Sequence, residues 1–261
     1  MTAIRILNKI YMIIPQILII PDIHGRDFHK SAVKEAVKNS LDIVCLGDYL
    51  DPYPYEVSHE GGASKPLKEL VALKKKYPHK IHLLIGNHDS SYMFHPSMCR
   101  ARYDMLNGPR YHKYFQNNAK AFNLFYRTEI AGKNFIFSHA GITRQWMSVV
   151  SKKIGLQTDD FEAFLNELNE RFKEFSVSNE KNLIWSLLSH IGVERGGQDD
   201  SGSIIWADFF EHADKKNWID NDSITQIVGH TQLNYHPVSI CNRLYCLIPK
   251  NSLIWNLYIL T

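Results

Sequence analysis

One pattern recurs five times along the chain: a short apolar run followed at once by a segment rich in Gly, Asp, Asn and His. The runs lie at 16–20, 41–46, 81–85, 134–137 and 225–228. Apolar runs of this length that contain many β-branched residues predict buried strands. If the strand ends lie along one edge of the fold, the five polar segments meet at one place, and catalytic groups commonly sit on such loops.

Helical patterns fill the gaps between the first three strands. Residues 27–40 and 64–77 carry apolar side chains at near-helical spacing, and Pro66 suits a first helical turn. A strand–helix–strand–helix–strand order predicts an α/β fold whose first strands pair in parallel. Towards the C-terminus, 243–247 and 253–260 are typical of strands with no helix between them. We therefore expect the sheets to be mixed.

Residues 145–200 interrupt the series of motifs and predict a helical insertion. A helix capped by Thr158 or Asp159 is expected to run to about residue 175. Its apolar stripe comprises Phe161, Phe164, Leu165, Leu168, Phe172 and Phe175. A second helix is expected over 182–191, followed by a Gly- and Asp-rich loop. The insertion either adds packing to the sheet or forms a cap that shapes a substrate cleft, and both alternatives stay open.

Composition narrows the class of protein. The 261 residues fit one large domain or two small ones, and a net charge of +3 is too small to indicate a nucleic acid or a membrane surface as a partner. The 4 cysteines form no Cys-x-x-Cys pair, which favours a reduced, cytoplasmic setting over a zinc ribbon or a disulfide framework. With 13 histidines present, any metal is expected to bind through nitrogen and oxygen.

The apolar segment 11–20 superficially resembles a signal peptide. No small-residue cleavage site follows it, because Pro21 and a polar motif come directly after, so we expect a strand instead. No apolar run approaches the roughly 20 residues of a membrane span. We expect the domain to comprise residues 12–261, with 1–11 as an N-terminal extension.

The five polar segments supply six side chains that suit metal binding. They are Asp22, His24, Asp48, Asn87, His139 and His230. Mixed nitrogen and oxygen donors without a thiolate suit Mn, Fe, Zn or similar ions. Six ligands are too many for one zinc, but they suit two ions about 4 Å apart that share a carboxylate. Asp22 and His24 are two residues apart, so in an extended segment both point to the same side.

Taken together, these blocks resemble the calcineurin-like metallophosphoesterases, specifically the bacterial type of the phosphoprotein phosphatase branch. That pattern contains Asp-x-His-Gly, Gly-Asp-x-x-Asp, Gly-Asn-His-Asp/Glu, a lone His and Gly-His-Thr, and all five occur here in order across 22–231. Residues 205–208 match the family's Trp-containing block more weakly. The resemblance implies an α/β fold: a four-layer α/β/β/α sandwich with mixed sheets and its site at the carboxyl ends of strands.

The resemblance also implies a role for each residue. Asp22 and His24 would bind one metal, Asp48 would bridge, and Asn87, His139 and His230 would complete the second site. His88 would be the general acid, held by Asp51. Asp89, Ser138 and Thr231 are candidates to fix these groups, because each is adjacent to a predicted ligand or to the proposed acid. The implied enzyme is a phosphoester hydrolase with two divalent metal ions, in which a bridging hydroxide attacks phosphorus in line. We expect a phosphomonoesterase, of which a Ser/Thr protein phosphatase is one form.

The chain departs from the family pattern at Pro52, where relatives usually carry an arginine that grips the substrate phosphate. Arg26, Arg100 and Arg102 are candidates to replace it, although each is equally compatible with a surface salt bridge. The expected substrate is a phosphorylated small molecule, a nucleotide or a phosphoprotein. Two alternatives stay open: a hydrolase of dinucleoside polyphosphates, which related short bacterial enzymes cleave, and a catalytically weak binding or regulatory protein. The native metal and the oligomeric state are left open.

Overall fold

The computed structural model describes residues 12–14, 17–53, 62–94, 101–130, 132–156, 160–178, 182–219, 224–233, 238–240 and 244–249. Its strands form two five-stranded sheets. The first sheet has the order β1 (Met12–Ile14), β2 (Ile17–Ile20), β3 (Asp42–Cys45), β4 (Ile81–Leu84) and β5 (Phe122–Asn123). Strands β2 to β5 pair in parallel, as the sequence predicts, and β1 is an antiparallel edge strand.

The second sheet is mixed, which confirms the expectation for the C-terminal half. Its strands are β6 (Phe125–Ile130), β7 (Lys133–Ser138), β8 (Ile224–Leu233), β9 (Val238–Ile240) and β10 (Leu244–Pro249). Their order is β6-β7-β8-β10-β9, with β8 parallel to both of its neighbours and the two outer pairs antiparallel. The strand predicted at 253–260 and the extension at 1–11 lie outside the described residues.

Helices occupy the segments between the strands. They are α1 (Lys30–Lys38), α2 (Ser64–Lys76), α3 (Asn87–Met93), α4 (Gly108–Asn117), α5 (Arg144–Ile154), α6 (Phe161–Ser178), α7 (Asn182–Leu188) and α8 (Phe209–Ala213). The helices predicted before β3 and β4 are confirmed as α1 and α2, whereas α3 and α4 were not predicted. None of the helices in the described part of the chain is both long and apolar enough to cross a membrane.

The two sheets pack face to face through alternate residues of their strands. The buried side chains between them are Ile17, Ile19, Val44, Leu46, Leu84, Phe135, Phe137 and Ile227. The intervening residues of the first sheet, such as Leu18 and Ile43, pack against helices on its other face. On the far face of the second sheet, Phe209 of α8 packs against Val228 of β8. The predicted four layers and mixed α/β class are confirmed.

The insertion contains the two predicted helices, α6 and α7, with corrected ends. Asp160 caps α6 by accepting the Ala163 N–H at 2.9 Å, and the predicted caps Thr158 and Asp159 lie outside the described residues. The described part of the apolar stripe is buried, from Phe161 to Phe172. Helix α7 ends at Leu188 rather than at 191, because the chain there turns into the Gly-rich loop.

Two motifs lie in regular structure rather than in the loops that the sequence analysis predicted. Residues 86–89 form the start of α3, with Gly86 as its N-cap. Residues 229–231 lie inside β8 and not after it. The register between β8 and β10 shifts at this point, and His230 has a positive φ of 62°. A β-bulge therefore keeps the strand continuous while it redirects the His230 side chain.

The burial of side chains between the two sheets predicts how much this packing contributes to the free energy of unfolding. Phe137 is fully buried there, so Phe137→Ala is expected to lower the free energy of unfolding by about 3–5 kcal/mol. Val149→Ala, at a position that is 41% exposed, is expected to stay within about 0.5 kcal/mol of the parent. Urea unfolding of the three proteins measures both values, and equal midpoints would contradict the packing described above.

Candidate metal centre

The polar segments that follow the strands meet at one cavity of about 550 Å³. Five of the six predicted ligands line it, namely Asp22, His24, Asp48, Asn87 and His230. The sixth, His139, is fully buried against them. The sequence prediction that these segments converge is therefore correct in space.

The backbone is strained at several of these positions. Four predicted site residues have a positive φ: His24 (45°), Asp48 (51°), Asp51 (60°) and His230 (62°). Among the described residues other than glycine, Ser40 is the only further one. Non-glycine residues seldom adopt this conformation, and such strain persists where the surroundings over-determine it, often at functional sites.

Hydrogen bonds to the backbone fix two of the imidazoles. His24 Nδ1 lies 2.8 Å from the Leu50 carbonyl, and His139 Nδ1 lies 2.9 Å from the Leu46 carbonyl. Because a carbonyl oxygen can only accept, each Nδ1 carries the proton. Each Nε2 is therefore left with a lone pair that is available as a ligand.

The lone pair of His139 Nε2 faces other acceptors at short range. Asn87 Oδ1 lies at 3.0 Å, His230 Nδ1 at 3.1 Å and Asp48 Oδ2 at 3.5 Å. At most one N–H, that of His230, is available among these four atoms, so the arrangement is repulsive by itself. A cation between the four atoms would remove that repulsion, and nitrogen and oxygen donors of this kind suit a divalent transition metal. This side of the cavity therefore fits a metal ion.

A second group lies next to the first and shares Asp48. His24 Nε2 is 3.8 Å from Asp48 Oδ2, and ligand atoms of His24, Asp48 and His88 lie within 4.8 Å of one another. Asp22 approaches from the other side, where its Oδ1 accepts the His230 backbone N–H at 3.3 Å and lies 3.8 Å from His139 Nδ1. Asp48 therefore belongs to both groups of candidate ligands.

Burial shapes the protonation of these groups. It raises the pKa of Asp22 and of Asp48 to about 6. It lowers the pKa of His24, His139 and His230, and the charge of Arg195 adds to this effect at His230. The histidines are therefore neutral, the form that binds metals, and burial makes the charged form of the two carboxylates more costly than in water. A divalent cation nearby would favour that charged form.

His88 and Asp51 form the predicted pair beside this cluster. His88 Nδ1 lies 2.8 Å from Asp51 Oδ2, and the His88 backbone N–H donates to Asp48 Oδ1 at 2.9 Å. Burial by itself lowers the pKa of His88, but the Asp48 and Asp51 carboxylates outweigh it and raise the pKa overall. The Tyr92 hydroxyl donates to the other Asp51 oxygen. Sequence reasoning missed Tyr92, which lies four residues after His88 on α3, a helix that was not predicted.

Asp89 connects two of the motif segments. Its carboxylate accepts the backbone N–H of Asp48 at 2.7 Å, of Tyr49 at 3.0 Å and of Gly86 at 3.0 Å. Gly86 has no room for a side chain, because a Cβ there would lie 2.1 Å from Asp48 Oδ1. Asp89 therefore fixes the segment that carries Asp48.

The predicted phosphate-binding arginines have different surroundings. Arg26 donates to the Asp22 carbonyl at 2.9 Å and the Ile23 carbonyl at 3.0 Å, and it does not line the cavity. Arg102 lines the cavity, donates to the Asp51 carbonyl at 2.9 Å and lies 3.8 Å above the ring of Tyr53. Arg100 lies outside the described residues.

Several further residues line the cavity and were not singled out from the sequence. They are Ala101, Glu194, Arg195, Phe210 and Gln232. Tyr53, in the tyrosine-rich segment that a substrate wall could use, lines it as well. Trp206 and Asp208, from the weakly matching block at 205–208, also line it. Arg195 could not be found from sequence because it belongs to no motif and its partners are distant along the chain.

Comparisons with known proteins agree with the geometry. The sequence model of the calcineurin-like phosphoesterases matches residues 15–233. A cold-active protein-tyrosine phosphatase from a psychrophilic Shewanella species superposes with a TM-score of 0.54 at 14% identity, covering 92% of this chain and 74% of that chain. A mutant of a cold-active protein tyrosine phosphatase gives 0.53 at 15%, again covering 92% and 74%. No curated protein matches significantly. The two structural likenesses show a shared fold.

The role of Asp89 in holding the Asp48 segment can be tested with one substitution. Asp89→Asn replaces one acceptor oxygen by an amide group, which then faces buried N–H donors. The free energy of unfolding is expected to fall by about 1–3 kcal/mol in urea titrations. The control is Asp27→Asn, a change in an exposed carboxylate that lies 4.0 Å from Lys30, and it is expected to have little effect. Equal stability of both variants would contradict the assigned role.

Proposed function

Because the chain belongs to the calcineurin-like phosphoesterase family and is thus a phosphoester hydrolase, we propose that it is a phosphomonoesterase that uses two divalent metal ions. The observation that carries the proposal is the juxtaposition in one cavity of acceptor groups around Asp48 with the His88–Asp51 pair. The acceptor groups around Asp48 suit cations, and the His88–Asp51 pair suits proton donation. Hydrolysis of a phosphomonoester needs both, since negative charge has to be neutralised and the leaving oxygen protonated.

The six clustered side chains would hold the ions. Asp22 and His24 would bind one, Asn87, His139 and His230 the other, and Asp48 both. Mn, Fe or Zn would suit these ligands. When bound, such ions lower the pKa of a water molecule and neutralise charge on the phosphoryl oxygens. The second ion has the stronger support, because three of its predicted ligand atoms, on Asn87, His230 and Asp48, already lie within 3.5 Å of the fourth, His139 Nε2.

His88 would protonate the leaving oxygen. The Asp51 carboxylate accepts a hydrogen bond from the Nδ1–H of His88 and so orients the ring. The Tyr92 hydroxyl in turn donates a hydrogen bond to Asp51. This leaves the Nε2 proton for donation to substrate, since His88 lines the cavity. Arg102 could contact the phosphoryl group from its position above Tyr53.

The walls of the cavity favour an aromatic phosphomonoester. Tyr53, Trp206 and the 61% exposed Phe210 line it, and aromatic rings pack well against a phenyl group. The Shewanella structure with this fold is described as a protein-tyrosine phosphatase. We therefore propose that phosphotyrosyl peptides are better substrates than phosphoseryl peptides. A nucleobase could stack on the same walls, so dinucleoside polyphosphates are the rival substrate.

A comparison of hydrolysis rates for the three kinds of substrate tests this order of preference. Protein supplied with manganese is expected to hydrolyse matched phosphotyrosyl and phosphoseryl peptides, the former faster, and not diadenosine tetraphosphate. Phe210→Ala should lower kcat/KM for the phosphotyrosyl peptide by roughly 3- to 10-fold and leave the other peptide unchanged. Met105→Ala, a change in an exposed apolar residue outside the cavity lining, is the control. Cleavage of the dinucleotide alone would establish the rival, and no hydrolysis at all would favour a binding protein.

The assignment of the general acid predicts a selective loss. His88→Asn should slow turnover by roughly 10²- to 10⁴-fold, because proton transfer is lost, while the metal content stays near two ions per chain. His139→Asn should instead lower the metal content, since it removes a ligand. Metal analysis and steady-state kinetics measure both, with the exposed His79→Asn as a control. Loss of metal in His88→Asn would show that His88 is a ligand.

We also propose a reducing, cytoplasmic setting. Cys45 and Cys246 are buried free thiols, and the sequence has no cysteine pairs of the Cys-x-x-Cys type. Cell fractionation that recovers the protein with an oxidising compartment would contradict this.

A further inference from the structure

We propose that Arg195, which the helical insertion contributes, binds the phosphoryl group of the substrate. The proposal rests on the proposed phosphomonoesterase function and adds a residue to its site. The starting point is Pro52, which occupies the position where an arginine was expected to grip phosphate. The cavity is lined by two arginines among the described residues, Arg102 and Arg195.

Arg195 is held by two residues of the catalytic side of the cavity. Its Nε lies 2.7 Å from Asp208 Oδ2, and its Nη2 donates to Thr231 Oγ1 at 2.8 Å. Thr231 directly follows His230 in β8, so the guanidinium is tied to the segment that carries a predicted ligand. The side chain is 26% exposed, and Asp208 is 8% exposed. A charge in such a half-buried position acts more strongly than one on the surface.

The contacts of Arg195 leave part of its guanidinium available. The group has five N–H donors, of which one on Nη2 donates to Thr231, while Nε forms an ion pair with Asp208 and makes no hydrogen bond. Within the described part of the chain, the remaining donors have no partner. Two parallel N–H donors suit two phosphoryl oxygens, as in the bidentate pairs that arginine forms with phosphate. Arg26, by contrast, uses its donors on two backbone carbonyls outside the cavity.

The loop that carries Arg195 is anchored on both sides. The Ile191 N–H donates to Asp199 Oδ2 at 2.8 Å, and the Gly202 N–H donates to Glu211 Oε2 at 2.7 Å. Gly192 is required there, because a Cβ would lie 2.2 Å from Glu211 Oε1. A loop fixed in this way presents Arg195 in a constant position, which reduces the entropy cost of binding. The insertion thereby supplies a wall of the substrate cavity and not only packing.

Binding of inorganic phosphate tests the proposal directly. Calorimetric titration of manganese-supplied protein should show that Arg195→Ala weakens phosphate binding by roughly 10- to 100-fold, because a charge-assisted contact is lost. Arg195→Lys keeps the positive charge but loses the planar guanidinium with its parallel N–H donors, so an intermediate affinity for phosphate is expected. Arg171→Ala is the control, since Arg171 is exposed to a similar extent and pairs with Glu167 on α6 at 2.6 Å, outside the cavity lining. Urea unfolding of each variant shows whether the fold is intact.

The outcomes separate this proposal from the proposed function. Unchanged phosphate affinity in folded Arg195→Ala, or no phosphate binding by the parent protein, would overturn the role of Arg195. An Arg195→Lys variant as weak as Arg195→Ala, together with lowered stability in both, would show that the residue only holds the loop. If the parent binds phosphate through Arg195 but hydrolyses no phosphomonoester, the proposed function is wrong and the binding role stands.

Discussion

The buried carboxylate of Asp89 accepts backbone N–H groups from two motif segments at once, those of Asp48 and Tyr49 and that of Gly86. This contact joins the ends of β3 and β4, which are neighbouring parallel strands. The segments need such a constraint because the backbone of Asp48, and of His24 beside it, has a positive φ. Strained conformations of this kind persist only when several contacts over-determine them. The geometry of the predicted ligands therefore depends on a residue that is not itself one of them.

The sequence was sufficient to predict the core architecture and the convergence of the polar segments at one cavity. The strands at 17–20, 42–45 and 81–84 appear where apolar, β-branched runs predict them, because burial on both faces leaves a continuous apolar signal. Their order along the chain then forces the polar segments to one edge. Asp48 and His139 follow strands of different sheets, so their approach also depends on the face-to-face packing of the two sheets. The apolar pattern and the strand order were enough for the first sheet, because both follow from how its strands pair.

Other features depend on tertiary contacts that leave no local signal. Residues 86–89 begin a helix because the Asp89 side chain reaches back to the Gly86 N–H, a contact that apolar periodicity does not reveal. The bulge at His230 depends on the pairing of β8 with β10. Tyr92 and Arg195 belong to no motif, and they contact motif residues or their neighbours, Asp51 in one case and Asp208 and Thr231 in the other.

The electrostatics of the cavity connect the predicted ligands with the strained segments and the Asp89 contact. Burial works against ionisation of Asp22 and Asp48, and it also keeps His139 and His230 neutral. Without a cation, the folded chain thus holds facing acceptors and two carboxylates whose charged form is disfavoured by burial. A divalent ion that bound only the folded state would convert each of these costs into a favourable contact and would add its binding free energy to the stability of the fold. The strained segments, the Asp89 contact and the predicted ligands would then form one energetic unit, in which the packing of the two sheets supports a geometry that a bound metal would make favourable.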